Sequence, residues 1–84
     1  RADYRKDIMT PSEITQKYRK QQGLTLQEFA IALSDNGEHV SKQKVQYWES
    51  GKFNPNRWFL HRVAGYYPQD DWRHNWAMDI LAEL

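Results

Sequence analysis

Two stretches set the architecture: Leu24-Thr25-Leu26-Gln27-Glu28-Phe29 and Val40-Ser41-Lys42-Gln43-Lys44-Val45. Each runs apolar, hydroxyl, two residues, a charge, apolar. That order marks a helix start. A Thr or Ser at the N-cap accepts a backbone N–H of the first turn, and the flanking apolar pair closes across it as a staple. Glu28 completes a capping box in the first stretch. Phe29, Ala30 and Leu33, and then Val45 and Trp48, follow at helical spacing and define inner faces. The residues between, Ser34 to His39, read as a polar turn. Ser50-Gly51 ends the second of these helices.

The same grammar extends both ways. Thr10-Pro11-Ser12-Glu13 is another capping box, with Pro at the first helical position and Met9 and Ile14 as its staple. This helix is expected from Pro11 to about Gln22, with Ile14 and Tyr18 inward and Gly23 as its stop. Downstream, Asn54 is expected to cap a fourth helix with Pro55 at its first position, Phe53 and Trp58 as staple, and Gly65 as its end. Trp58, Phe59, Val63 and Ala64 form its apolar side. A last helix starts near Asp70, with Asp70-Asp71 capping, and repeats Trp72, Trp76, Ile80 and Leu84 every four residues. No stretch alternates as a strand would. The expectation is an all-α, compact five-helix domain over residues 10–84, preceded by an arm or expression remnant over residues 1–9.

Composition narrows the function. The 84 residues include four Trp, five Tyr and three Phe, which suits a small core that must bury much area per side chain. There is no Cys, so neither a disulfide nor a thiolate metal site is available. No apolar run nears the roughly 18 residues of a membrane span, and no signal-peptide pattern occurs, so a cytoplasmic protein without membrane contact is expected. His39, His61 and His74 are far apart in sequence, so no metal or cofactor is expected. Neither a nucleophile–base grouping nor a Gly-rich phosphate loop is present, and no catalytic residues are assigned. The net charge of +1 hides a split. Residues 1–65 hold eleven Lys/Arg against seven Asp/Glu, while residues 66–84 hold one Arg against four acids. A basic body could meet phosphates while an acidic last helix faces away.

The third helix breaks an electrostatic rule. The positive pole of the helix dipole favours acids in the first turn. Glu13 and Glu28 comply, but the third helix has Lys42 and Lys44 there. Each Lys costs a few tenths of a kcal/mol, so this surface suits an anionic partner. Taken alone, the cluster would be an ordinary solvated face.

The helix order adds weight. Arg19, Gly23-Leu24-Thr25, Glu28-Phe29-Ala30, Val40-Ser41, Val45, Trp48-Glu49-Ser50-Gly51-Lys52, Pro55 and the Leu60–Ala64 stretch together resemble the Cro/lambda-repressor (XRE) type of helix-turn-helix DNA-binding domain. The likeness covers Ile14 to Ala64. It implies a recognition helix, about 42–49, in the major groove of double-stranded DNA, in a transcriptional regulator of repressor type or an antitoxin. It implies base contacts from Lys42, Gln43, Gln46 and Tyr47. Phosphate contacts would come from Thr25 and Gln27, from Ser41 and Lys44, and from Lys52, Asn54 and Arg57. It also implies a structural ion pair between Arg19 and Glu49, a bacterial or phage-derived origin and association with the nucleoid. A homodimer through the last helix would fit paired half-sites. Trp72 and Trp76 are assigned to the core, and Ile80 and Leu84 are left to either role.

Two departures from the family pattern stand out. Leu26 occupies a position usually held by Gln, and Gln27 points about 100° away from it. The turn from Ser34 to Val40 has seven residues rather than three to four. It could lengthen the second helix, form a loop toward DNA or tilt the recognition helix. These features, with the modest net charge, favour a rival: a protein-interaction module that has lost DNA binding. RNA binding is set aside for want of an expected aromatic platform for stacked bases.

Overall fold

The computed structural model describes residues 9–84 and is all-helical, with no strand among them. Residues 1–8, and with them nearly all of the expected arm, lie outside it. The elements are α1 (Pro11–Gln21), α2 (Leu26–Leu33), α3 (Lys42–Ser50), α4 (Arg57–Tyr66) and α5 (Trp72–Glu83). Thr10 and Thr25 both cap through complete capping boxes with Glu13 and Glu28, and Ser41 caps α3 by accepting the Lys44 N–H. Gly51 ends α3 in the left-handed conformation, φ 81°, which favours Gly.

One side chain joins all the helices. Trp76, on α5, is fully buried. Its ring lies 5.9 Å from Phe29 of α2, 5.6 Å from Trp48 of α3 and 6.4 Å from Phe59 of α4. Its Nε1–H donates to Thr15 Oγ1 of α1 at 3.1 Å, and that hydroxyl donates onward to the Pro11 carbonyl. Ile80 is also fully buried, so its place in the α5 stripe is core, not a dimer surface, while Leu84 is exposed. Trp72 stacks at 5.2 Å on Phe29. Leu26 is half-buried against the core, which explains an apolar residue there.

Two helix boundaries differ from expectation. Asn56, not Asn54, caps α4, its Oδ1 accepting the Phe59 N–H at 2.8 Å. Pro55 therefore precedes the cap. Capping at Asn56 turns Phe59, Leu60 and Val63 inward and Trp58 outward. Phe53 and Trp58 form no buried staple, being 54% and 59% exposed. At the other end α4 runs through Gly65 to Tyr66. Tyr67 is extended (φ −100°, ψ 144°) because it precedes Pro68, and this ends the helix. α5 starts one residue after its Asp71 cap.

The long turn neither extends α2 nor hangs loose. Ser34 Oγ donates to the Ala30 carbonyl and accepts the Val40 N–H at 2.9 Å, clamping both ends. Asn36 is buried, donating to the Leu33 carbonyl and accepting the Glu38 N–H. Arg62 of α4 reaches the Asn36 carbonyl at 2.6 Å. Gly37, at φ 94°, holds a conformation that favours Gly, and a Cβ there would stand 3.1 Å from that guanidinium.

Arg73 of α5 reaches the same turn, bonding Asp35 at 3.3 Å. It bonds Asp71 at 2.7 Å and the Ala32 carbonyl at 3.0 Å, and lies 3.9 Å over the Tyr67 ring. His74 Nδ1 lies 2.7 Å from the Ala64 carbonyl and 3.1 Å from that of Tyr67. Both are acceptors only, so Nδ1 carries the proton.

Two outcomes follow. Thr15→Val leaves the Trp76 N–H buried without an acceptor and should lower unfolding free energy in urea by about 1–3 kcal/mol. Asp71 is held below the usual carboxylate range chiefly by its hydrogen bond to Arg73. Its stabilising contribution is therefore present above about pH 4 and lost as pH falls through the lower folded value. Asn caps helices as well as Asp. Asp71→Asn should thus cost about 1–3 kcal/mol at neutral pH, with the two unfolding curves converging in acid.

Candidate functional site

α3 is held differently at its two ends. At its C-terminal end, α1 supplies a polar stripe at positions 12, 16 and 19. Ser12 Oγ and Gln16 Nε2 both donate to the Glu49 carbonyl. Arg19 grips the Glu49 carboxylate with Nε at 2.5 Å and Nη2 at 3.1 Å, and donates from Nη1 to the Leu24 carbonyl. The two side chains are only 20% and 13% exposed. Hydrogen bonding to Glu49 raises the Arg19 guanidinium above its ordinary value.

At its N-terminal end, α3 presents charge to solvent. Lys42, Gln43, Lys44 and Gln46 are all exposed, and the first turn holds no acid. The start of α4 resembles it, with Arg57 exposed at its first position and again no acid.

A cleft of about 460 Å³ separates these two helix starts. Ser41, Gln43, Lys44, Tyr47 and Trp48 line it from α3, and Asn56, Trp58 and Phe59 from the start of α4. Phe53 and Asn54 close it from the connecting loop, and Glu38 and His39 from the turn before α3. Tyr47 meets Phe53 edge-on at 5.2 Å, with Lys52 Nζ 4.7 Å over the Tyr47 ring. Arg62 lies 5.6 Å over Trp58.

Of the residues singled out in sequence, Ser41, Gln43, Lys44, Tyr47 and Asn54 thus meet round this cleft. Lys42, Gln46, Lys52 and Arg57 are exposed but do not line it, and neither do Thr25 and Gln27 at the start of α2. The Thr25 hydroxyl accepts the Glu28 N–H. Phe53 and Trp58, which the sequence pattern places in packing, are instead exposed rings lining the cleft, side chains on which a base could stack. The signal for this was the second possible cap, Asn56, two residues after the first.

Among the described residues no group of three His, Cys, Asp or Glu could hold a metal ion, and no helix is long and apolar enough to cross a membrane. No protein-family pattern, characterised protein or solved structure matches the chain.

A double-mutant cycle checks the two-ended description of α3. Arg19→Met and Glu49→Gln should be non-additive by about 0.5–3 kcal/mol in urea unfolding. Lys42→Ala and Gln46→Ala, on the exposed face, should each stay within about 0.5 kcal/mol of wild type.

Proposed function

We propose that this protein binds double-stranded DNA and acts as a transcriptional repressor. α2 and α3 serve as a helix-turn-helix of the lambda-repressor type, and the first turns of α3 enter the major groove. The observation that carries this reading is the exposed Lys42, Gln43, Lys44 and Gln46 at an acid-free helix start whose other end is fixed to α1. Gln can bond adenine through two hydrogen bonds, and Lys can donate to guanine acceptors. Tyr47 completes the base-reading set. Phosphates meet the N–H groups and cap hydroxyls at Thr25 and Ser41, with Gln27, Lys44, Lys52, Asn54 and Arg57 beside them. Lys52, already held over the Tyr47 ring, is pre-positioned at the edge of that face.

Titrating labelled duplex DNA at several salt concentrations tests this. If Lys44, Lys52 and Arg57 each neutralise one phosphate, log K falls against log salt with a slope of about −3. Lys52→Ala should flatten that slope by about one and weaken binding to all sequences alike. Gln43→Ala should relax preference at one base pair of a selected site, at a cost of about 1–3 kcal/mol. Failure to shift any duplex at low salt would overturn the reading. The exposed Phe53 and Trp58 would then support the protein-interaction module instead.

A further inference from the structure

The cleft between α3 and α4 carries two exposed rings, Phe53 and Trp58, that the duplex reading does not use. We infer that it is a binding site for one unpaired nucleotide, with the base stacked on Trp58 and Phe53 and the phosphate drawn by Lys44. The inference rests on the duplex reading only for the strand that would deliver such a nucleotide.

Size is the first argument. A cleft of about 460 Å³ falls in the ~300–1,000 Å³ range of small-ligand sites. The second is its walls. Trp58 is 59% and Phe53 54% exposed, although large rings in so small a protein are the side chains most needed inside. Trp58 is steadied by Arg62, which is itself tied to the Asn36 carbonyl, so the ring is a pre-set platform rather than a loose side chain. Base–aromatic stacking tolerates any base, because every base has a π face.

The third argument is polarity. Gln43 and Asn54 line the cleft with amides that both donate and accept, and Asn56 adds its amide NH2, its oxygen being taken by the Phe59 N–H; such groups can meet the pairing edge of a free base. An unpaired base exposes that edge, whereas a paired base does not. The fourth is charge. The starts of α3 and α4 both border the cleft, both lack acids in the first turn, and Lys44 lines it. Glu38 is the one carboxylate among the lining residues and Lys44 the one lysine, so Lys44 is the lining cation available to a phosphate.

The test compares three labelled nucleic acids at low salt: a fully paired duplex, the same duplex with one bulged adenine, and a single strand of the same sequence. AMP, adenosine and inorganic phosphate are titrated separately while the indole N–H signals are followed by NMR, with Trp58→Phe assigning the Trp58 signal. The bulged duplex should bind about tenfold tighter than the paired one, a difference within the stacking worth of one base. Trp58→Ala should abolish that preference and leave paired-duplex affinity unchanged. Trp58 is surface-exposed, so this variant should keep its helical circular dichroism, and Phe53→Ala provides an independent check on the same wall. AMP should shift the Trp58 signal at lower concentration than adenosine, and Lys44→Gln should remove that advantage. Phosphate alone should leave the signal in place.

Equal binding of bulged and paired duplexes, with no Trp58 shift on adding AMP, overturns the inference and leaves duplex binding standing. A bulge preference that survives both Trp58→Ala and Phe53→Ala overturns it as well. A Trp58 shift with AMP, in a protein that binds no duplex, supports a nucleotide site and removes the duplex reading instead.

Discussion

The arrangement of this protein depends on the indole of Trp76. It is the point where rings from α2, α3 and α4 converge, and its N–H reaches α1 through Thr15. A chain this short buries a smaller share of its surface than a larger domain, so few side chains must each do much. An indole meets that need, provided its N–H finds an acceptor inside. Thr15 supplies the acceptor, and its own proton goes to the Pro11 carbonyl, so no polar atom is stranded. The positions of α2, α3 and α4 are thus set relative to one ring on α5.

That hub fixes where α3 lies, and α1 fixes how it is presented. A helix leaves its last carbonyls without internal partners. Here the Glu49 carbonyl receives Ser12 and Gln16, and the Glu49 carboxylate receives Arg19. The C-terminal end is consumed in holding the helix, while the N-terminal end has only its Ser41 cap and exposed polar side chains. Rigid support at one end and uncommitted donors at the other is the asymmetry expected of a surface built to meet another molecule.

How much of this could be read from sequence follows from the range of each interaction. The caps of α1, α2 and α3 were legible because donor and acceptor lie three residues apart. The exposed face of α3 was legible for the same reason, since Lys42 and Lys44 conflict with their own helix dipole. The start of α4 was not. Asn54-Pro55-Asn56 offers two local solutions, and only burial of Phe59, Leu60 and Val63 against α5 and its neighbours selects Asn56. The cap position also sets which way Trp58 faces, and the cleft it lines exists only once α3 and α4 are placed. Gly65 misled in a similar way. It tolerates a helix, and Pro68, two residues after the helix end, does the terminating. The long turn read as an insertion because nothing local announces that Arg62 will reach back to Asn36.

The same distinction sorts the cations by type. Arg19, Arg62 and Arg73 each hold at least two internal groups: a carboxylate with a carbonyl for Arg19 and Arg73, and the Asn36 carbonyl with the Trp58 ring for Arg62. A planar fork with several fixed donors suits that work. Lys17, Lys20, Lys42, Lys44 and Lys52 are exposed, and among the described arginines Arg57 alone joins them without an internal hydrogen bond. A count of basic residues therefore overstates the charge available to a partner, because part of it is committed to the scaffold. What remains is concentrated at the starts of α3 and α4 and the loop between them, where Lys42, Lys44, Lys52 and Arg57 lie with Gln43 and Gln46. α5, with Asp79 bonded to the Tyr18 hydroxyl, carries its acids on another part of the fold. The modest net charge is thus compatible with a strong local field, since charge placement rather than its sum determines what an anionic partner meets.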